Sequence, residues 1–447
     1  MNHSSLRRHW PKLLAAFAIV LLCSLYVENY SAAGQQDSVP GASAQNQQQA
    51  SADLLAQADN VLRKMSQMTG LAIKSPVNKK IVSRDEVRKI LLHNLHTDYT
   101  PKEIHVQETT LRAFGLVSKD FDLESFLVDF YTEQVAGFYD PETKTMYIAD
   151  WIPADMQGMV LSHELTHALQ DQNFNLAQYI KAAKNNDDAE AARQAVVEGY
   201  ATAAMFQTML DGMPIANLPS LDALIGPAIR QQMAEFPVFS KAPFFFKLEA
   251  LFPYIQGASF VVKGLRQADW KKLDELFTSP PSSTKALYQA DIYFNHVVLP
   301  EIKLPDTTPL SSDPGLKQMD ENILGELGCN ELLGQFLDED TATADCTGWM
   351  GDRYIVYEDQ SGENNPLIAR TEWASAEDAL TFFRDYQKIL TQKYKEFTPD
   401  PHSDSERVIA HTASGEVILL YAGKEVRWAE GVPSDKVDAT LKWLESL

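Results

Sequence analysis

Apolar and polar positions recur along this chain with two periods, and the change from one to the other places its elements. Leu161, Leu165, Ala168 and Leu169 fall three or four residues apart and form one stripe of a helix that starts near Pro153 or Ala154. Proline suits the first turn of such a helix, where no backbone N–H has to be donated. Just upstream, 135–140 and 145–149 read as two strands joined by a turn at 141–144. Helical patterns also cover 51–69 and 101–114, with 71–75 extended between them. Ser83 followed by Glu86 makes a capping box for a helix running to about Leu95. An alanine-rich run over 188–210 predicts a further helix, with Asp187 or Asp188 as its N-cap. Beyond Gly212 a proline-punctuated apolar region, 214–265, predicts more helix, with most of its aromatics in the core. The tail then alternates: extended at 354–358, 367–373, 407–413 and 416–428, helical at 376–394 and 434–447. The expected class is α+β, a mainly helical body carrying a small hairpin or sheet, followed by a small C-terminal α+β module.

The polar side of the 161–172 helix carries the candidate chemistry. His163 and His167 are four residues apart, so both imidazoles leave the same face and can reach one ion. Glu164 sits one step around the cylinder, where its carboxylate can take a proton from a water on that ion. Neutral imidazole suits zinc, and a catalytic zinc takes three protein ligands and keeps a fourth position for water. A histidine six residues after His167 would complete a compact set, but that position is Asn173. Asp171 extends the same helical row, and three ligands in a line cannot surround an ion. It is expected at most to accept from the outer nitrogen of His167. Glu198, on the return helix, is the better third ligand, with Glu190 as the alternative. Gly199 beside it weakens the helix, a cost that a close helix–helix approach at the metal would justify.

His163-Glu164-Leu-Thr-His167-Ala with a downstream glutamate on a second helix resembles the gluzincin, or thermolysin-like, superfamily of zinc metallopeptidases. The longer pattern is similar to secreted bacterial members that carry the run His163 to Gln172, a Gly-Phe-Tyr-Asp-Pro hairpin (Gly137 to Pro141) and the pair Glu198-Gly199. The element Gly348-Trp-Met-Gly-Asp-Arg353 is similar to one in the same proteins, and Asp352 and Arg353 are expected to pair with each other. The resemblance spans about 50–350 and is densest between Val135 and Thr202. It implies Zn2+ on His163, His167 and Glu198, Glu164 as general base, and a peptide or protein substrate held as an added strand along the hairpin. Many members place an aspartate four residues after the glutamate ligand to orient the first histidine. Thr202 stands there in this chain, and it and Asp171 are the candidates for orienting the imidazoles. An oxyanion partner is expected downstream, from Tyr254, Tyr288 or His296.

Composition changes this picture in two places. A net charge of −22 over 447 residues argues against nucleic acid or an anionic membrane surface as partner. Arg7, Arg8 and Lys12 precede an uncharged run, 13–27, and small residues follow at 31–33. That is the layout of a signal peptide over 1–33, and it leaves a membrane tether through the same segment open. A Gln/Ser/Ala-rich linker is expected to 50. Export to the periplasm or exterior would leave only Cys329 and Cys346, which either close a disulfide or stay buried thiols. The expected divisions are a zinc-bearing core at 51–212, a helical subdomain lining the cleft at 213–328 and the α+β module at 329–447. The alternative to a peptidase is a catalytically silent zinc-bearing scaffold that binds peptide or envelope protein. Oligomeric state is not legible.

Overall fold

The computed structural model describes residues 18–19, 44–183 and 186–447. Apart from Ala18 and Ile19, the expected signal peptide lies outside the described residues, as does 34–43 of the expected linker. The remainder of that linker is helical, because helix α1 runs over Ala44–Thr69 rather than from Ser51. Among the described residues no helix is long and apolar enough to cross a membrane. The class is α+β, with helix dominant and two sheets.

Local signals hold well through the first half. Helix α2 (Arg84–Asp98) starts on the Ser83/Glu86 capping box, and α3 (Pro101–Phe114) starts on a second one made by Thr100 and Glu103. Helix α4 (Leu123–Gln134), which the sequence pattern did not single out, is capped by Asp122, whose Oδ1 accepts from Ser125 N at 3.0 Å. The hairpin forms as strands β3 (Val135–Asp140) and β4 (Thr145–Ala149). Two further strands flank it. The short strand β1 (Ala18–Ile19) is antiparallel to β3, and β2 (Asn78–Val82) is parallel to β4, giving the order β1-β3-β4-β2. The expected extended piece at 71–75 is a connector, and the strand follows it.

Helix α5 (Ala154–Phe174) packs on β3, β4 and α1. After the single short helix α6 (Leu176–Lys181), the chain returns beside α5 as α7 (Asp187–Gln207). Its N-cap is Asn186, whose Oδ1 accepts from Ala189 N at 2.9 Å, and not Asp187 or Asp188. Asp188 is buried and accepts from Thr284 N at 2.8 Å, so tertiary packing has claimed the carboxylate that the local rule assigned to the cap.

Helices α8 (Leu221–Met233), α9 (Pro237–Lys241) and α10 (Phe244–Phe252) follow, then a π-helical turn (Pro253–Gly257) and α11 (Ala258–Leu265). The close approach foreseen at Gly199 is made with this π turn. A Cβ on Gly199 would sit 2.1 Å from the Gly257 carbonyl carbon, and one on Gly257 would sit 2.1 Å from Ala195 O. Backbone therefore meets backbone where α7 crosses the turn.

The C-terminal part is a seven-stranded antiparallel sheet of order β5-β6-β7-β11-β10-β9-β8. Its strands are β5 (Leu316–Asn322), β6 (Trp349–Asp359), β7 (Leu367–Trp373), β8 (Phe397–Pro399), β9 (Arg407–Thr412), β10 (Gly415–Ala422) and β11 (Glu425–Val432). Alternate residues feed separate cores: Tyr354, Val356, Val417 and Leu419 join the main core, while Ile355, Tyr357, Ile418 and Leu420 pack with Leu304, Leu310 and Leu444 on the other face. The long helix Ala376–Lys393 and the C-terminal helix Val437–Glu445 pack on this sheet.

Three expectations are corrected here. The stretch 416–428 is two strands, split by a turn at Gly423 (φ 65°). The division at 329 cuts through the helix Gly325–Phe336 and leaves β5 outside the sheet that it edges. Asp352 does not pair with Arg353. It is buried and accepts from Leu324 N, Gly325 N and Trp349 Nε1 at 2.9–3.1 Å, while Arg353 points to the opposite strand face and holds Glu321 at 2.9 Å. Cys329 and Cys346 form a disulfide that joins the helix Gly325–Phe336 to the next helix, Glu339–Cys346.

Candidate metal centre

Where α5 passes α7, three candidate ligand atoms converge. His163 Nε2 lies 3.0 Å from His167 Nε2, and Glu198 Oε2 lies 3.1 Å from the first and 3.3 Å from the second. The triangle is of the size that bonds of ~2.0–2.1 Å at tetrahedral angles would span, about 3.3 Å on an edge. Among the described residues this is the group of histidine, cysteine and acidic side chains able to hold a metal ion. Glu190, the alternative ligand, lines a separate cavity with Thr110, Glu249 and Glu331.

The three groups shift one another's charge. Burial opposes charge on His167, yet the Glu198 carboxylate outweighs it and holds the imidazole up at about 9. Burial works against Glu198 too, but His167 and hydrogen bonds from both imidazoles draw it down to about 2. For His163 burial wins and its value falls below the usual one. Burial thus favours the neutral form of His163, while His167 and Glu198 favour opposite charges. A shared proton or a metal ion would satisfy that arrangement, and a metal would have to displace the proton.

Two glutamines that the sequence reading passed over position these ligands. Gln170 Oε1 lies 2.8 Å from His167 Nδ1, and its Nε2 donates to Val197 O at 3.0 Å. Gln194 Nε2 donates to Glu198 Oε1 at 3.1 Å, leaving Oε2 for the triangle. Each is three or four residues from the side chain it serves, a spacing visible in the sequence, but neither was given a role there. Asp171 does not orient His167. It accepts from Tyr139 Oη at 3.0 Å, Lys144 Nζ at 2.6 Å and Leu176 N at 3.3 Å, so the hairpin has drawn it away from the site. Thr202 is buried one turn beyond Glu198, and its hydroxyl makes no hydrogen bond among the described residues; neither does His163 Nδ1.

Glu164 is fully buried and close enough to His167 and Tyr254 to influence the charge of both. Gly137 of β3 presses against it: a Cβ there would lie 3.7 Å from Glu164 Cγ and 2.8 Å from Val160 Cγ1. Of the three oxyanion candidates, only Tyr254 comes to the centre. Its ring is 6.0 Å from that of His163 at 28°, and its hydroxyl bonds to Glu198. Burial, then the charges of Glu198 and Glu164, push its pKa well above the ordinary value, so it remains an O–H donor. The π turn that carries it is the one locked against Gly199, a distortion of the kind often found at functional sites. Tyr288 is not at the centre. It packs on Phe252 and faces Glu326 and Glu331 instead. His296 is exposed at a left-handed turn (φ 54°), near Glu275.

Residues 314–441 match the model of a domain of unknown function, DUF8575. That match covers the seven-stranded sheet and begins just before β5, in agreement with the structural boundary. No curated protein and no solved structure matches the chain.

Proposed function

We propose that this chain is an exported zinc metallopeptidase of the gluzincin type. The observation that carries the reading is the convergence of His163, His167 and Glu198 within 3.0–3.3 Å of one another, with Glu164 and Tyr254 at the same place. Two imidazoles and a carboxylate are a donor set that suits zinc. When bound, zinc supplies Lewis acidity towards the attacking water and the scissile carbonyl. Glu164 accepts the proton of that water and delivers it to the leaving amine. The Tyr254 hydroxyl donates to the oxygen on which negative charge develops. The edge of β3 beside Glu164 takes Ala18–Ile19 as an antiparallel neighbour, which supports an extended peptide backbone as the substrate. The disulfide and the basic-then-apolar N-terminus support export to an oxidising compartment.

The test is digestion of an unfolded protein library by native protein and by Glu164→Gln, with cleavage sites read by mass spectrometry. Loss of a general acid–base is worth about 10²–10⁴-fold, so the variant should cleave slower by that order while keeping its metal. One observation favours a second reading, a zinc-bearing scaffold that binds peptide without turnover: Glu164 and Tyr254 are no more than 1% exposed. Equal cleavage, or none, by the two proteins would select the scaffold.

A further inference from the structure

We propose that Gln170 is a positioning residue of this centre, holding His167 in the tautomer whose Nε2 lone pair faces the ion; the proposal rests on the metal site described above. The orientation of its amide follows from what it touches. A backbone carbonyl can only accept, so the nitrogen of Gln170 must face Val197 O, where it lies at 3.0 Å. The amide oxygen is thereby turned to His167 Nδ1, 2.8 Å away. That nitrogen must then carry the proton, which leaves Nε2 as the electron-pair donor. Gln170 is fully buried, so water does not compete for either bond.

The same amide reaches across both ligand-bearing helices. Gln170 is three residues after His167 on α5, and Val197 immediately precedes Glu198 on α7. One side chain therefore sets the tautomer of one ligand and the distance of its helix from the next ligand. A glutamate at 170 could accept from the imidazole, but would set a carboxylate oxygen against the Val197 carbonyl. A leucine could do neither. Gln194 makes the matching arrangement at Glu198, binding Oε1 and leaving Oε2 for the metal. His163 has no such partner, since its buried Nδ1 makes no hydrogen bond among the described residues. The two histidines thus differ: His167 is the oriented ligand and His163 the one free to adjust.

The experiment is zinc affinity by competition with a calibrated chelator, on full-length native protein, Gln170→Leu and Gln170→Glu, with thermal melts of the metal-free forms as a folding control. Loss of an outer partner typically costs 10- to 100-fold in metal affinity, and Gln170→Leu should lose that much. Gln170→Glu should bind more tightly than Gln170→Leu, because it keeps the acceptor for His167 Nδ1 although it sets a carboxylate oxygen against the Val197 carbonyl. Equal weakening in both variants would mean that Gln170 serves only as an interhelical tie, and unchanged affinity in Gln170→Leu would mean that it serves neither role; each overturns the proposal. Nitrogen NMR of native, zinc-loaded protein provides a readout independent of any variant: a His167 Nδ1 without a proton overturns it as well. Native protein that binds no zinc would instead sink the metal site itself, a failure distinguishable from all of these.

Discussion

In the C-terminal sheet Glu430 is buried and accepts from Tyr386 Oη, from Tyr394 Oη at 2.9 Å and from Lys393 Nζ at 2.6 Å. In the candidate metal centre Glu198 is buried as deeply, yet it faces two imidazoles whose nitrogens also face each other at 3.0 Å. The first carboxylate is surrounded by groups that carry their own hydrogens and needs nothing more. The second lies in a ring of lone pairs that one proton or one metal ion must hold together. Burial and charge alone do not separate structural from functional acids; the direction in which the partners' hydrogens point does.

That contrast can be broken most severely at Glu430. Glu430→Ala leaves Lys393 buried without its partner and should cost about 3–5 kcal/mol of stability, measured by denaturant unfolding, with zinc affinity unchanged. Glu198→Ala should do the converse, abolishing stoichiometric zinc binding at a smaller cost to the metal-free fold, because burial favours the neutral form of His167 once Glu198 is gone. A zinc loss in Glu430→Ala would show that the two regions are not independent.

The disulfide comes next. Cys329 and Cys346 are 17 residues apart, and a loop of that order is worth about 3 kcal/mol, so Cys329→Ala/Cys346→Ala should unfold earlier by that amount under oxidising conditions. A smaller effect is expected at the crossing of α7 with the π turn. Gly199→Ala forces a methyl into the Gly257 backbone and should cost about 1–3 kcal/mol, while also weakening zinc binding by displacing the Glu198 and Tyr254 segments. A variant destabilised but binding zinc normally would separate the crossing from the site.

The last expected effect is a pH slope. Burial pushes the Asp352 carboxyl up to about 7. A carboxyl raised on folding binds its proton more tightly in the native state, so its contribution is fully present below the unfolded value and is lost as pH rises through about 7. Stability should therefore fall between roughly pH 4 and 7, by at most about 1.4 kcal/mol per pH unit from this group. Asp352→Asn should flatten that slope, and an unaltered slope would assign it elsewhere.

Much of this was legible in the chain, for reasons that differ by element. The Ser83/Glu86 box, the β3–β4 hairpin and the stripe through Leu161 and Leu169 are signals contained within a dozen residues, and all three formed as read. Helix α4 went unassigned because its run 123–134 is buried on more than one side and lacks a clean stripe. Strand β2, Asn-Lys-Lys-Ile-Val, shows no apolar alternation, and only its parallel partner β4 makes it a strand. Asp188 and Asp171 were assigned to local duties that Thr284 and Lys144 then took from them.

What the sequence determined by itself was the geometry that backbone periodicity guarantees: a helix places residues four apart on one face, so His163 and His167 had to point together wherever α5 went. It also determined that 354–358 would be extended, as the strand Trp349–Asp359 is. Only the tertiary structure decided that Glu198 closes the triangle from 35 residues beyond His163, that Tyr254 and not Tyr288 reaches it, and that Gln170 bridges to Val197. Those contacts depend on how helices cross, and the crossing is set by glycine backbones and core volume summed over distant segments, information that no single window of the chain contains.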